Sequence, residues 1–206
     1  MPRLGILAFG SLMRDPGKEL GPLIERPPIK TKTPFGVEYG RYSGETRGGA
    51  PTLVPHPKGD PVDAQILVLK TSVSIEEATD MLWRRECRKE DTTERYPAGT
   101  TPNSVQVREY RNLEGVEVVL YTDFLDAGKI PNPDPEDLAA AATKSVSKAK
   151  AGKDGITYLS EAISDGVDTR LTDRYAAAIL AKGDSLLLKE ALKNREARRL
   201  GHSDRS

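Results

Sequence analysis

The chain has 206 residues and balances 31 basic against 31 acidic side chains, so no net field draws it toward nucleic acid or an anionic membrane. Aromatic residues make up only 5%, which leaves little surface on which bases would stack, while 37% hydrophobic residues suffice for one core at this length. The single cysteine, Cys87, excludes an intrachain disulfide and a thiolate metal cluster.

Met1-Pro2-Arg3 leads into an apolar run too short for a signal-peptide core and without a cleavage pattern. No stretch approaches membrane-spanning length, and the expectation is a soluble cytoplasmic protein with no membrane partner. The first element lies in Leu4–Met13, where Ile6, Leu7, Ala8 and Phe9 predict a short buried strand. It stops abruptly at Gly10-Ser11-Leu12. Glycine permits the turn and close approach to the main chain, Ser11 adds a hydroxyl, and a strand running into such a turn can present backbone N–H groups to an anion. An ordinary hairpin turn is the competing expectation.

Arg14–Glu19 is charged and loop-like, and Pro22, Pro27 and Pro28 prevent Leu20–Thr33 from forming one helix. Phe35–Tyr42 alternates loosely, Ser43–Pro51 is glycine-rich and holds Arg47, and Thr52–Pro55 is a short β-like piece. Ala64–Lys70 is a clear strand. Ser74-Ile75-Glu76-Glu77 then forms a capping box that predicts a helix to about Lys89. At about 100° per residue, Ile75, Ala78, Leu82 and Glu86 share one side of it, while Glu76, Asp80, Arg84 and Lys89 point to solvent. A carboxylate on the apolar stripe has two readings: desolvation makes Glu86 a proton-transfer group, or an arginine such as Arg85 or Arg47 pairs with it.

After the polar loop Thr92–Thr101, Val105–Tyr110 and Val116–Thr122 predict a hairpin through Arg111–Gly115. Tyr121 sits near its end, either facing a pocket or packing with its hydroxyl at the rim. From Asp134-Pro135 the pattern is helical: one helix to a stop at Gly152 with Lys144, Lys148 and Lys150 toward its end, one from Asp154 to Gly166, one over Asp173–Ala181 and one over Ser185–Leu200, followed by a frayed tail at Gly201–Ser206. Strands, a helix, two strands and then helices make an α+β domain with a mixed or antiparallel sheet, residues 1–183, followed by a C-terminal helix and tail, 184–206.

Several chemistries are excluded. There is no Walker loop, Phe9-Gly10-Ser11-Leu12 is not a nucleophile elbow, and His56 in a proline-rich loop and His202 in the tail make no metal pair. Cys87 lacks a histidine partner and reads as a packing residue, and the basic run Arg195, Arg198, Arg199 reads as a solvated helix face.

What remains is the turn after the first strand and Glu86 on the inner helix face. Together they resemble the gamma-glutamylcyclotransferase-like family, closest to its ChaC-type glutathione-degrading branch. That family's first strand ends in Tyr-Gly-Ser-Leu, here Phe9-Gly10-Ser11-Leu12, and its catalytic glutamate stands in an Arg-Glu pair, here Arg85-Glu86. Arg47–Pro55, ending in Thr-Leu-Val-Pro, is similar to the family's glycine-rich run, and Gly152–Leu159 with Asp173-Arg174-Tyr175 is similar to its late helices. Phenylalanine replaces the family's tyrosine at position 9, and the Gly-Gly-Tyr that follows the Arg-Glu pair in the ChaC branch is absent. The resemblance implies a small twisted barrel-like sheet with surrounding helices, and a lyase-type acyl transfer that releases 5-oxoproline from a γ-glutamyl amide. It implies Glu86 as base and then acid, with Phe9, Gly10, Ser11, Leu12 and Tyr121 around the substrate. It calls for no metal or organic cofactor; the partners are a small γ-glutamyl molecule and, as a candidate, a second copy of the chain. The alternative is a non-catalytic binding protein on the same fold.

Overall fold

Leu4, Gly5, Ile6, Leu7 and Ala8 are all buried, which a strand achieves only with a partner along each edge and cover on both faces. In the computed structural model, which describes residues 3–25, 27–99, 101, 104–183 and 185–203, with side chains to 200, this segment is the middle of a five-stranded sheet. The strands are β1 (Leu4–Ala8), β2 (Ile29–Lys32), β3 (Val37–Tyr42), β4 (Pro51–Pro55), β5 (Asp63–Val68), β6 (Gln106–Leu113) and β7 (Val116–Asp123). The helices are α1 (Ile75–Cys87), α2 (Pro135–Ser145), α3 (Gly155–Ser164), α4 (Thr172–Lys182) and α5 (Leu186–Ser203). The protein is thus a mixed α+β chain, and none of its helices, among the described residues, is long and apolar enough to cross a membrane. It forms two compact units, one of Met1–Pro34 with Asp63–Lys129 and one of Phe35–Val62 with Ile130–Ser206.

In the first unit the sheet order is β2-β5-β1-β7-β6. β1 runs antiparallel to β5 and parallel to β7, and the outer pairs β2·β5 and β6·β7 are antiparallel. The expected barrel-like closure is corrected here: the sheet is open, with β2 and β6 as its edges. Both edges carry exposed charge, Lys30 and Lys32 on β2 and Arg108, Glu109 and Arg111 on β6, which discourages another strand from pairing there. Glu114 (φ 49°) and Gly115 (φ 74°) both occupy the left-handed region, the geometry of a type I′ hairpin between β6 and β7. α1 covers one face, where Ala78, Met81 and Leu82 join Leu4, Ile6, Ala8, Leu67, Leu69, Val118 and Leu120 in one core.

In the second unit β3 and β4 pair antiparallel, with a register shift between Tyr39 and Arg41, and α2 and α3 pack on β4. His56, at the end of this hairpin, accepts from the Lys58 N–H at Nδ1 (3.2 Å), so its Nε2–H donates to the Ile130 carbonyl (3.0 Å). α2 ends at Ser145, well before the expected stop at Gly152, so Lys148 and Lys150 lie beyond it. The Ser145 carbonyl takes the N–H groups of Lys148 and Ala149, while its hydroxyl accepts the Gly155 N–H (2.8 Å), turning the chain into α3. α5 packs on α3 through Leu188 and Ala191 and extends to Ser203, three residues into the expected tail; residues 204–206 lie outside the described residues.

Candidate functional site

The Ser74 hydroxyl accepts the Glu77 N–H and the Glu77 carboxylate accepts the Ser74 N–H, which starts α1 as its capping box predicts. The helix closes at Arg88, in the left-handed region at φ 56°. Leu82 is the last fully buried residue of the stripe, and Glu86 comes one turn later, where the helix passes the edge of its core. Its side chain is therefore 25% exposed, not sealed inside as a purely apolar stripe would have it.

The turn after β1 comes to the same place. Phe9 is extended, and Gly10 (φ 67°) reverses the chain into a 3-10 turn over Gly10–Met13, a step that a residue with a β-carbon resists. Leu12 drops into the core shared with Ala78 and Leu82, so the turn is seated on α1 by packing. Arg85 then ties the two pieces. Its Nε and Nη2 donate to the Asp15 carbonyl (3.1 and 2.5 Å), Nη2 also reaches the Ser11 hydroxyl (3.4 Å), and Nη1 donates to a Glu86 carboxylate oxygen (2.5 Å). The pairing of Glu86 with Arg85 is one of the two outcomes expected from the sequence. Arg47, the other arginine considered, instead lies over the Tyr158 ring, 4.9 Å from its centre.

Residues 14–19 are strapped over the end of α1 by polar contacts. Glu19 pairs with Arg84 (2.9 Å), the Lys18 N–H donates to Glu90 (2.8 Å), and the Lys18 ammonium pairs with Asp91. Gly17 (φ 85°) passes so close that a β-carbon would stand 2.3 Å from a Glu90 carboxylate oxygen. Arg84, expected at the solvent face, is therefore covered, because the loop supplies the carboxylate that the helix face lacked.

The structure does not bring every expected residue together. Gly10, Ser11, Leu12, Arg85 and Glu86 form one cluster, and half-buried Phe9 immediately precedes its turn. Tyr121 belongs to β7 positions that alternate with the core-facing Val118 and Leu120, which puts it on the sheet face away from α1. Its cross-strand partner is Arg108, and burial, with Asp123 nearby, raises its phenol above the ordinary tyrosine range. Cys87 is half-buried in the last turn of α1, and the His202 side chain lies outside the described residues.

A second polar cluster escaped the sequence reading. Glu38 on β3 is buried, and one carboxylate oxygen accepts the Tyr39 N–H (2.9 Å) and the Thr169 hydroxyl (2.6 Å). Burial raises its carboxyl above the ordinary range, against the lowering effect of the Thr169 hydrogen bond. Tyr39 and Tyr175 meet edge to face beside it, ring centres 5.0 Å apart. The only signal was an acid flanked by Val37 and Tyr39 in a half-apolar strand. No protein-family model, no curated protein and no solved structure matches the chain.

Proposed function

We propose that the chain is a gamma-glutamylcyclotransferase-like enzyme that releases 5-oxoproline from a γ-glutamyl amide, working in the cytoplasm on a small diffusing substrate. The carrying observation is the meeting of Glu86 with the Gly10–Leu12 turn, held in one hydrogen-bonded cluster by Arg85. The substrate's α-amine arrives protonated and gains nucleophilicity only when that proton leaves. Glu86 takes it. The amine nitrogen bonds to the γ-carbonyl carbon and sheds a second proton as the ring closes, the old amide C–N bond breaks, and Glu86 relays the protons to the departing nitrogen, which leaves as an ammonium group. The N–H groups that open the Gly10–Met13 turn have no acceptor within the turn itself and hold the substrate's charged end in place for ring closure. No step requires a metal or an organic cofactor.

The experiment is incubation with γ-glutamyl amino acids and glutathione while 5-oxoproline is followed. Wild type produces it, and Glu86→Gln loses about 10²-fold or more of the rate while keeping its fold. Turnover unchanged by that substitution overturns the assignment. The Arg85–Glu86 ion pair favours one second reading, a non-catalytic protein that binds a small molecule at this cluster, for which no γ-glutamyl compound yields product.

A further inference from the structure

A cavity of about 280 Å³ opens in the first unit at the start of β1, whereas Gly10–Leu12 and the Glu86 cluster lie beyond that strand's other end. Its buried lining is Leu4, Leu69 and Val73, all members of the core that α1 covers. Its exposed lining carries four charges, Arg3, Glu25, Lys70 and Glu117. Strand register orders them. Leu4 lies against Val118 of β7, and Gly5 against Val68 of β5, so one step outward Lys70, Arg3 and Glu117 stand abreast. The Glu25 N–H donates to the Val68 carbonyl (2.7 Å), which puts an acid on the other side of Lys70 as well. The row therefore has two cations at its centre and an acid on either side.

Like charges set opposite one another on neighbouring strands are destabilising, and none of these four side chains makes an ion pair among the described residues. A single carboxylate between Arg3 and Lys70 relieves that repulsion, with the guanidinium offering it a planar pair of donors. A dianion gains less, because Glu25 and Glu117 repel its second charge, while an ammonium group is attracted by either acid. The buried leucines and valine favour an apolar body. The volume falls just below the roughly 300–1,000 Å³ of drug-sized sites, which restricts the occupant to about the size of one amino acid. We propose that this cavity is a second ligand site, for a small amino acid with an apolar side chain, its carboxylate on Arg3 and Lys70, its ammonium on a flanking acid and its side chain against Leu4, Leu69 and Val73. Neither the cavity nor its occupant depends on the reaction assigned to Glu86.

The test is titration of the nitrogen-15-labelled full chain with L-leucine, followed through the amide resonances. Saturable shifts are expected at Leu4, Glu25, Leu69, Lys70 and Glu117, with those of Ser11 and Glu86 unmoved. Three analogues each lack one feature: 3-methylbutylamine the carboxylate, 4-methylpentanoate the ammonium group and glycine the apolar side chain. Each is expected to bind about tenfold more weakly or worse, and inorganic phosphate not to saturate the site. Lys70→Gln is expected to erase most of the preference for leucine over 3-methylbutylamine. The comparison of ligands on wild type stands even if that variant fails to fold. Absence of saturable shifts, shifts confined to the Glu86 cluster, equal binding of leucine and its analogues, or tighter binding of phosphate each overturns the proposal.

Discussion

Glu38 shows what a single side chain pays for burial. It is 1% exposed, one carboxylate oxygen is doubly hydrogen-bonded, and the other has no partner among the described residues. Since its carboxyl in the folded protein titrates above the ordinary value of 4.5, the charged form is penalised in the fold and not in the unfolded chain. That penalty is absent at low pH and grows as pH rises from 4.5 through the elevated folded value. Glu38→Gln keeps an acceptor for Tyr39 and Thr169 and removes the charge. It is expected to be more stable than wild type at neutral pH, with the difference vanishing by about pH 4, as read from urea midpoints across that range. A difference of constant size at every pH would show that the charge is not its cause.

At the scale of elements, α1 is the part whose local code and tertiary role agree most closely. The Ser74–Glu77 box satisfies two N-terminal backbone groups, and the apolar stripe meets the sheet. Ser74→Ala removes one half of the box and is expected to cost about 1 kcal/mol, seen as a lower thermal midpoint with little change in the position of Glu86, which lies at the far end of the helix. α2 departs from its local code. Its alanine- and lysine-rich sequence favours continuation, yet the hydroxyl and carbonyl of Ser145 gather the next turn and the start of α3. Helix propensity is worth tenths of a kcal/mol per residue, less than one satisfied buried hydrogen bond.

At the scale of the molecule, each unit is assembled from two separate stretches of chain, and the second is completed by α5. The basic run there is not the solvated face expected of it. Arg195 is 11% exposed and pairs with Asp168 and Asp173, Arg199 pairs with Asp168, and Arg198 donates to the Ile163 carbonyl at the end of α3 (2.8 Å). Arg195→Ala leaves Asp168 with a weaker set of partners. It is expected to cost about 1–2 kcal/mol, discounted for the exposure of both carboxylates, and to speed proteolysis within α5. If protease resistance is unchanged, the apolar contacts of Leu188 and Ala191 are what hold the helix.

Local rules alone sufficed for the strand running into Gly10, the hairpin through Gly115, the start of α1 and the start of α3, because each depends on neighbours a few residues away: a left-handed glycine, a capping hydroxyl or carboxylate, an apolar period. The meeting of Ser11, Asp15 and Arg85, the open edges of the sheet, the early end of α2 and the burial of Glu38 and Arg195 depend on partners tens of residues distant. No periodicity encodes such partners. Whether a charged side chain at a given spacing is solvated, paired or poised for chemistry is decided by which groups the tertiary fold sets beside it and how much water it leaves there.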